Sequence, residues 1–271
     1  MVFEIKDVIY SYSDGSEALN QVSMHVQNGE KVAILGANGS GKSTLLHILN
    51  GLYFPQRGRV YAFGELLTEE RLREPGFSQA FRRRVGFVFQ NPDAQLFSST
   101  VWDEVAFGPL QLGLPQEEVV GRVKDVLGML GIAKLSKRHP YNLSGGEKKK
   151  VAIASVLSYN PDVLLLDEPT AGLDPKTQAW VVDCIIELNR AGKIIVTATH
   201  DLSIVQEIAE RVYVLSEEHK IIAEGDPAHI LQDEELLIKG NLAHFHVHRH
   251  GSVMHAHSHQ HIAHDHHDQH R

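Results

Sequence analysis

The strongest constraint on this chain is the stretch Gly36-Ala37-Asn38-Gly39-Ser40-Gly41-Lys42-Ser43-Thr44. It fits G-x-x-x-x-G-K-[ST], a loop that wraps a chain of phosphates. Lys31-Val32-Ala33-Ile34-Leu35 reads as a short strand feeding the loop, and Leu45, Leu46, Ile48 and Leu49 keep helical spacing up to Gly51. Strand, glycine turn and helix start are the context that this chemistry needs. The glycines let several N–H groups converge on one anion, and the helix dipole adds positive potential there. Lys42 is expected to reach the β- and γ-phosphates, and the Ser43 hydroxyl to hold Mg²⁺.

The rest of the chain limits what can surround such a loop. With 271 residues, 42% hydrophobic and 22% charged, it can bury one good core. Its longest apolar runs, such as Val163-Leu164-Leu165-Leu166, are too short to cross a bilayer, and Met1 to Lys6 reads as a strand rather than a signal. The single Cys184 excludes an internal disulfide and fits a buried thiol in a reducing compartment. A formal charge of −8 argues against a broad nucleic-acid surface, leaving Arg82-Arg83-Arg84 as a solvated helix face or a local contact.

Buried strands alternate with helices. Val85 to Phe89 is a strand ending at Gln90, Val163 to Leu166 one ending at Asp167-Glu168, and Ile194 to Thr199 one ending at His200. Residues 94–158 change towards helix: Thr100 is a natural N-cap with Asp103 and Glu104 in the first turn, and Gly108-Pro109 is expected to stop that helix. A second helix runs from Pro115 to Gly131, and Leu202 to Arg211 reads as a later one. Ser144-Gly145-Gly146-Glu147 is another glycine turn opening a helix. Parallel sheets gather ligands at the carboxyl ends of their strands, so the loop, Gln90, Asp167-Glu168 and His200 should converge. Asp167 suits Mg²⁺, and Glu168, pointing to the other side of the strand, suits a base for an attacking water.

Tyr12, the phosphate loop, Gln90, Leu143-Ser144-Gly145-Gly146-Glu147, Leu164-Leu165-Leu166-Asp167-Glu168-Pro169, Gly172-Leu173-Asp174 and His200 stand in the order found in ABC-transporter ATPases. The chain resembles that family over roughly residues 2–240. The resemblance implies an α/β fold: a P-loop NTPase core with a mainly parallel sheet, an antiparallel β subdomain and an inserted α-helical subdomain over about 94–158. It further implies ATP and Mg²⁺ as cofactors. Tyr12 would stack on adenine, and Gly36, Asn38, Gly39, Ser40, Gly41, Lys42, Ser43 and Thr44 would cradle the phosphates. Ser43, Gln90 and Asp167 would attend Mg²⁺, with Glu168 the catalytic base and His200 the γ-phosphate switch. Ser144 and Gly146 would complete the site of a second, head-to-tail ATPase subunit, with Asp174 at the joint. Glu147, where Gln is usual, and Lys149 or Lys150, near a usual Arg, depart from the common signature.

Phe89-Gln90-Asn91-Pro92-Asp93-Ala94-Gln95-Leu96-Phe97, with Val105-Ala106-Phe107-Gly108-Pro109, resembles the energy-coupling-factor importers. That narrower resemblance implies a transmembrane coupling subunit and a substrate-binding membrane subunit as partners, no nucleic acid, and a peripheral place on the cytoplasmic side of the membrane. Phe97, Trp102 and Phe107 are docking or core aromatics. Residues 241–271 form a separate His-rich tail holding twelve of the 18 histidines. His244, His246, His248 and His250 alternate, as do His255, His257, His259 and His261. Such a tail is expected to be unordered without metal and to bind nickel or cobalt.

Overall fold

The apolar runs of the sequence become the parallel strands of one sheet. The computed structural model describes residues 1–250 and 253–260, with 244–250 and 253–260 given by backbone alone. An antiparallel sheet holds β1 (Phe3–Ser11), β2 (Glu17–Val26), β4 (Arg57–Ala62) and β5 (Glu65–Leu66), in the order β2-β1-β4-β5. A second sheet takes β3 (Lys31–Leu35), β6 (Val85–Val88), β7 (Val163–Asp167), β8 (Ile194–Thr199), β9 (Arg211–Leu215) and β10 (Ile221–Gly225). Its order is β10-β9-β3-β8-β7-β6, and every neighbouring pair is parallel except β9 with β10.

Period-two alternation decides which way each side chain of this sheet faces. Val163 and Leu165 of β7, Val196 of β8 and Ile34 of β3 point to the side that carries the antiparallel sheet and α1 (Lys42–Leu49). Leu164 and Leu166 of β7 and Ile195 of β8 point the other way. There they meet α4 (Val101–Gln111), α5 (Gln116–Met129), α6 (Gly145–Leu157) and α7 (Pro175–Arg190). These strands are apolar throughout because both faces are covered. Between α1 and β6 come α2 (Glu69–Arg73) and α3 (Pro75–Arg84), so the charged stretch from Glu69 is helical over most of its length.

Two helices end elsewhere than expected. Pro109 does not stop α4, which runs to Gln111. Proline forfeits one backbone bond, but Pro109 is buried, Leu112 N–H donates to the Gly108 carbonyl, and Gly113, at φ 74°, provides the left-handed stop. The helix α8 (Leu202–Ile208) ends before Arg211, which opens β9 and bridges Glu30 and Glu224 at 2.6 and 2.5 Å.

After β10, α9 (Pro227–Gln232) and α10 (Glu234–Lys239) cover the sheet edge, each N-capped by an aspartate. Packing continues past residue 240, where the tail was expected to begin. Leu242 and Ala243 are buried with Leu35 and Val214. Beyond them the backbone forms β11 (Ala243–His250) and β12 (Val253–Gln260), an antiparallel pair. Histidines spaced by Phe245 and Val247 have the period of a strand. His261 lies outside the described residues.

Candidate functional site

The neighbours β3, β8, β7 and β6 end on the same edge of the sheet. Tyr12, Asn38, Gly39, Gly41, Lys42, Ser43, Thr44, Gln90 and Glu168 together line one cavity of about 560 Å³ there. Gly41 sits at φ 107°, and a Cβ at that position would run into the Ala18 carbonyl oxygen, so the loop needs glycine there. Gly39, at φ 83°, has open space above it.

Lys42 is buried at the start of α1. Its Nζ donates to the carbonyls of Gly36 at 2.9 Å and Ala37 at 3.1 Å and stands 3.3 Å from Glu168 Oε1. Ser43 Oγ donates to Asp167 Oδ1 at 3.0 Å. That contact follows from the alternation of β7: Asp167 shares the face of Val163 and Leu165, the face that α1 covers. Burial lifts the Asp167 carboxyl above its ordinary value, the hydrogen bond from Ser43 opposes the rise, and the neighbouring Glu168 charge adds to it.

Glu168 does not continue the alternation. Its φ is 42°, a left-handed backbone that costs about 1–3 kcal/mol for a side chain of this kind. Its N–H donates to the Ala198 carbonyl at 2.9 Å, which holds the turn. The result brings the Glu168 carboxylate to the phosphate-loop side, next to Lys42, instead of across the sheet. Its Oε1 lies 2.9 Å from His200 Nδ1, and Oε2 accepts from Thr199 Oγ1 at 3.3 Å. Burial alone would raise the Glu168 pKa, but the His200 hydrogen bond and the Lys42 charge outweigh it and hold the group below the usual carboxylate range. The same bond to Glu168 raises His200. Glu168 is thus an ionised acceptor at neutral pH.

The residues present fit Mg²⁺ and a nucleotide. Ser43 and Asp167 offer hard oxygen donors in mutual contact, the ligand type that Mg²⁺ takes. Ser40 Oγ, in the same loop, is buried against Gly36 without a protein partner and does not line the cavity. Tyr12 shares a 2.6 Å hydrogen bond with Thr44 Oγ1 and is 39% exposed at the cavity wall.

Gly36, Ser40, Asp167 and His200 are not among the residues that line this cavity, and Ser144 and Gly146, expected to serve a second subunit, lie apart from it. Ser144 and Gly146 line a separate hollow of about 530 Å³ with Gly145, Asp174, Thr177 and Trp180. Glu147, the departure from the usual signature, closes a capping box: its carboxylate accepts the Ser144 N–H at 3.0 Å, and the Ser144 hydroxyl accepts the Glu147 N–H at 3.3 Å. His200 touches a smaller hollow of about 230 Å³ shared with Ala37, Asn38, Asn241 and Leu242. A third surface cleft, about 720 Å³, carries Phe97 and Phe107, edge-to-face at 4.9 Å and 68% and 41% exposed. Trp102 packs instead into the core of the helical block.

Sequence reasoning missed Lys149. Of the run Lys148-Lys149-Lys150 it alone is fully buried, and its Nζ donates to the carbonyls of Phe89 at 3.2 Å and Gln90 at 2.9 Å. No spacing signal singles it out, since each of the three lysines stands three and four residues before buried positions of α6. Burial lowers its pKa from 10.5 to about 8. Because the folded pKa is depressed, the cost of burying the charge is full below pH 8 and is relieved as pH rises towards 10.5. Wild type should therefore gain thermal stability relative to Lys149→Met between pH 8 and 10, measured by melting in parallel buffers. At pH 7 the Met variant leaves two carbonyls without this donor, a loss of about 1–3 kcal/mol.

Residues 19–171 match the family model described as ABC transporter. The chain is similar to the nickel import ATP-binding protein NikO of Rhodobacter capsulatus, 47% identical over 243 residues, covering 89% of this chain and 95% of the relative. It is 45% identical over 243 residues to the energy-coupling factor transporter ATP-binding protein EcfA of Methanothermobacter thermautotrophicus, covering 89% and 76%. A solved dimeric ATP-binding cassette in a post-hydrolysis state, bound to ADP and Pi, superposes with a TM-score of 0.75 at 30% identity, over 83% of this chain and 98% of that one.

Proposed function

The chain belongs to the ABC transporter family of ATP-binding proteins, and from that premise we propose that it is the ATP-hydrolysing subunit of an energy-coupling-factor importer for nickel or cobalt. The observation that carries the ATPase reading is the convergence of Lys42, Ser43, Gln90 and Glu168 on one cavity, with Asp167 and His200 bonded to members of it. Lys42 and the loop N–H groups hold the β- and γ-phosphates, and Tyr12 takes the adenine. Bound Mg²⁺, held by Ser43 and Asp167 with Gln90 nearby, supplies neutralisation of the phosphate charge. Glu168 accepts the proton of the attacking water while His200 keeps its carboxylate oriented and meets the γ-phosphate.

Ser144 and Gly146 serve the nucleotide held by a second, head-to-tail copy, because their hollow is separate from the cavity on their own chain. Lys149 ties the signature helix to Gln90 by direct hydrogen bonds, a path between the two half-sites. Among the described residues no helix is long and apolar enough to cross a membrane. The chain docks on transmembrane coupling and substrate-binding subunits, using the cleft of Phe97 and Phe107. Cargo is the reading that NikO and the histidine tail support: His244, His246, His248, His250, His255, His257, His259 and His261 bind nickel or cobalt. Uptake by the assembled complex tests it. Labelled nickel or cobalt should accumulate with ATP, whereas transport of a vitamin alone would contradict the metal cargo.

A further inference from the structure

The start of β2 backs the phosphate loop. Tyr10 pairs with Leu19 but Ser11 pairs with Glu17, so the register slips and Ala18 is the extra residue. A bulge of this kind bends its strand and re-aims the side chains beside it. Here it sets the Ala18 carbonyl against Gly41, where a Cβ would run into it. Ser16, Glu17 and Ala18, with Tyr12, are the part of the nucleotide cavity wall that the β1–β2 hairpin supplies.

The polar groups of that wall are not equally free. Tyr12 is bonded to Thr44 Oγ1 at 2.6 Å, and Ser16 Oγ donates to Asp14 Oδ1 at 2.6 Å. Glu17 accepts from Asn20 Nδ2 at 2.8 Å through Oε1, which orients the carboxylate and leaves its other oxygen to accept further bonds. Asn20 is itself tied down. Its N–H donates to the His219 carbonyl at 2.8 Å, and His219 Nδ1 lies 3.1 Å from the Ser40 carbonyl. A chain of hydrogen bonds thus runs from Glu17 through Asn20 and His219 to the phosphate loop.

We propose that Glu17 reads the sugar of the bound nucleotide, its carboxylate accepting hydrogen bonds from the ribose hydroxyls. The proposal rests on the reading that Tyr12 takes the adenine of ATP and the loop takes its phosphates. The ribose joins those two parts, so it lies along the wall between them, to which Glu17 belongs. Ribose hydroxyls donate and an ionised carboxylate only accepts, so the two match directly. An acidic side chain binds the ribose of dinucleotides in the same way. Beside a triphosphate a carboxylate is repulsive unless it has such a donor to meet.

ATP and 2′,3′-dideoxy-ATP, each titrated with Mg²⁺ into wild type, Glu17→Ala and Glu17→Gln by calorimetry, test the proposal. Wild type should bind ATP about 5- to 10-fold more tightly than the dideoxy analogue, the effect of hydrogen bonds to an exposed partner. In Glu17→Ala the ratio should fall to about one, and Glu17→Gln, which keeps an acceptor oxygen, should retain part of it. If Glu17 only shapes the wall, its loss weakens both nucleotides alike and leaves the wild-type ratio, which would overturn the proposal. Equal wild-type affinities for ATP and the analogue would overturn it as well. Failure of wild type to bind either nucleotide would remove the ATP reading itself, and this one with it.

Discussion

Glu168→Gln is expected to cut ATP turnover by about 10²–10⁴-fold while ATP stays bound. The amide keeps the shape of the side chain but cannot accept a proton from water. It also loses the charge attraction to Lys42 at 3.3 Å and to His200 at 2.9 Å, so phosphate binding keeps Lys42 and gains freedom from a competing anion. Nucleotide affinity should hold or improve, and the ATP-bound dimer should persist because the step that opens it is blocked. Single-turnover hydrolysis with a parallel binding titration separates the two effects. Unchanged turnover would remove Glu168 from the base role and would leave its left-handed backbone without a catalytic reason.

Lys42→Ala is expected to act on binding. The ammonium is 5% exposed in its side chain, so its interactions are made with little solvent screening. Losing it removes the donor to the Gly36 and Ala37 carbonyls, the charge that meets the phosphates, and the partner of a buried Glu168 carboxylate. Removing one member of a buried ion pair costs about 3–5 kcal/mol, which corresponds to roughly a 100- to 4,000-fold weaker complex when it falls on the bound state. A fluorescent ATP analogue titrated into wild type and variant measures it; affinity within a few fold of wild type would contradict the cradle.

Most of this site is legible in the sequence because it is built from strand ends. An apolar run that stops on Asp167 or His200 declares both its burial and the edge of the sheet on which its last residue sits. The exceptions share a cause: backbone geometry that pattern alone does not carry. Glu168 follows Asp167 in sequence and by alternation should face away, yet a positive φ turns it back to Lys42. Pro109 reads as a helix stop, yet its burial and the glycine at 113 let the helix run on. Lys149 is hidden within a lysine run because only the packing of α6 against the Gln90 loop distinguishes its three members. Glu147, an irregularity in the signature, becomes a cap once the helix start is seen.

The central claim is that a working site is shared between two chains, and mixing two disabled chains tests it most directly. Lys42→Ala disables the phosphate loop. Gly145→Asp places a carboxylate in the signature hollow at a position where a Cβ meets nothing within 4 Å, so the fold is spared while phosphate is repelled. In a head-to-tail heterodimer one site receives both lesions and the other receives neither. Each variant alone should hydrolyse ATP at background, and the mixture should recover up to about half of the wild-type rate per heterodimer, with one of its two sites intact. A mixture that forms heterodimers and stays at background would place the whole site within one chain and contradict the account.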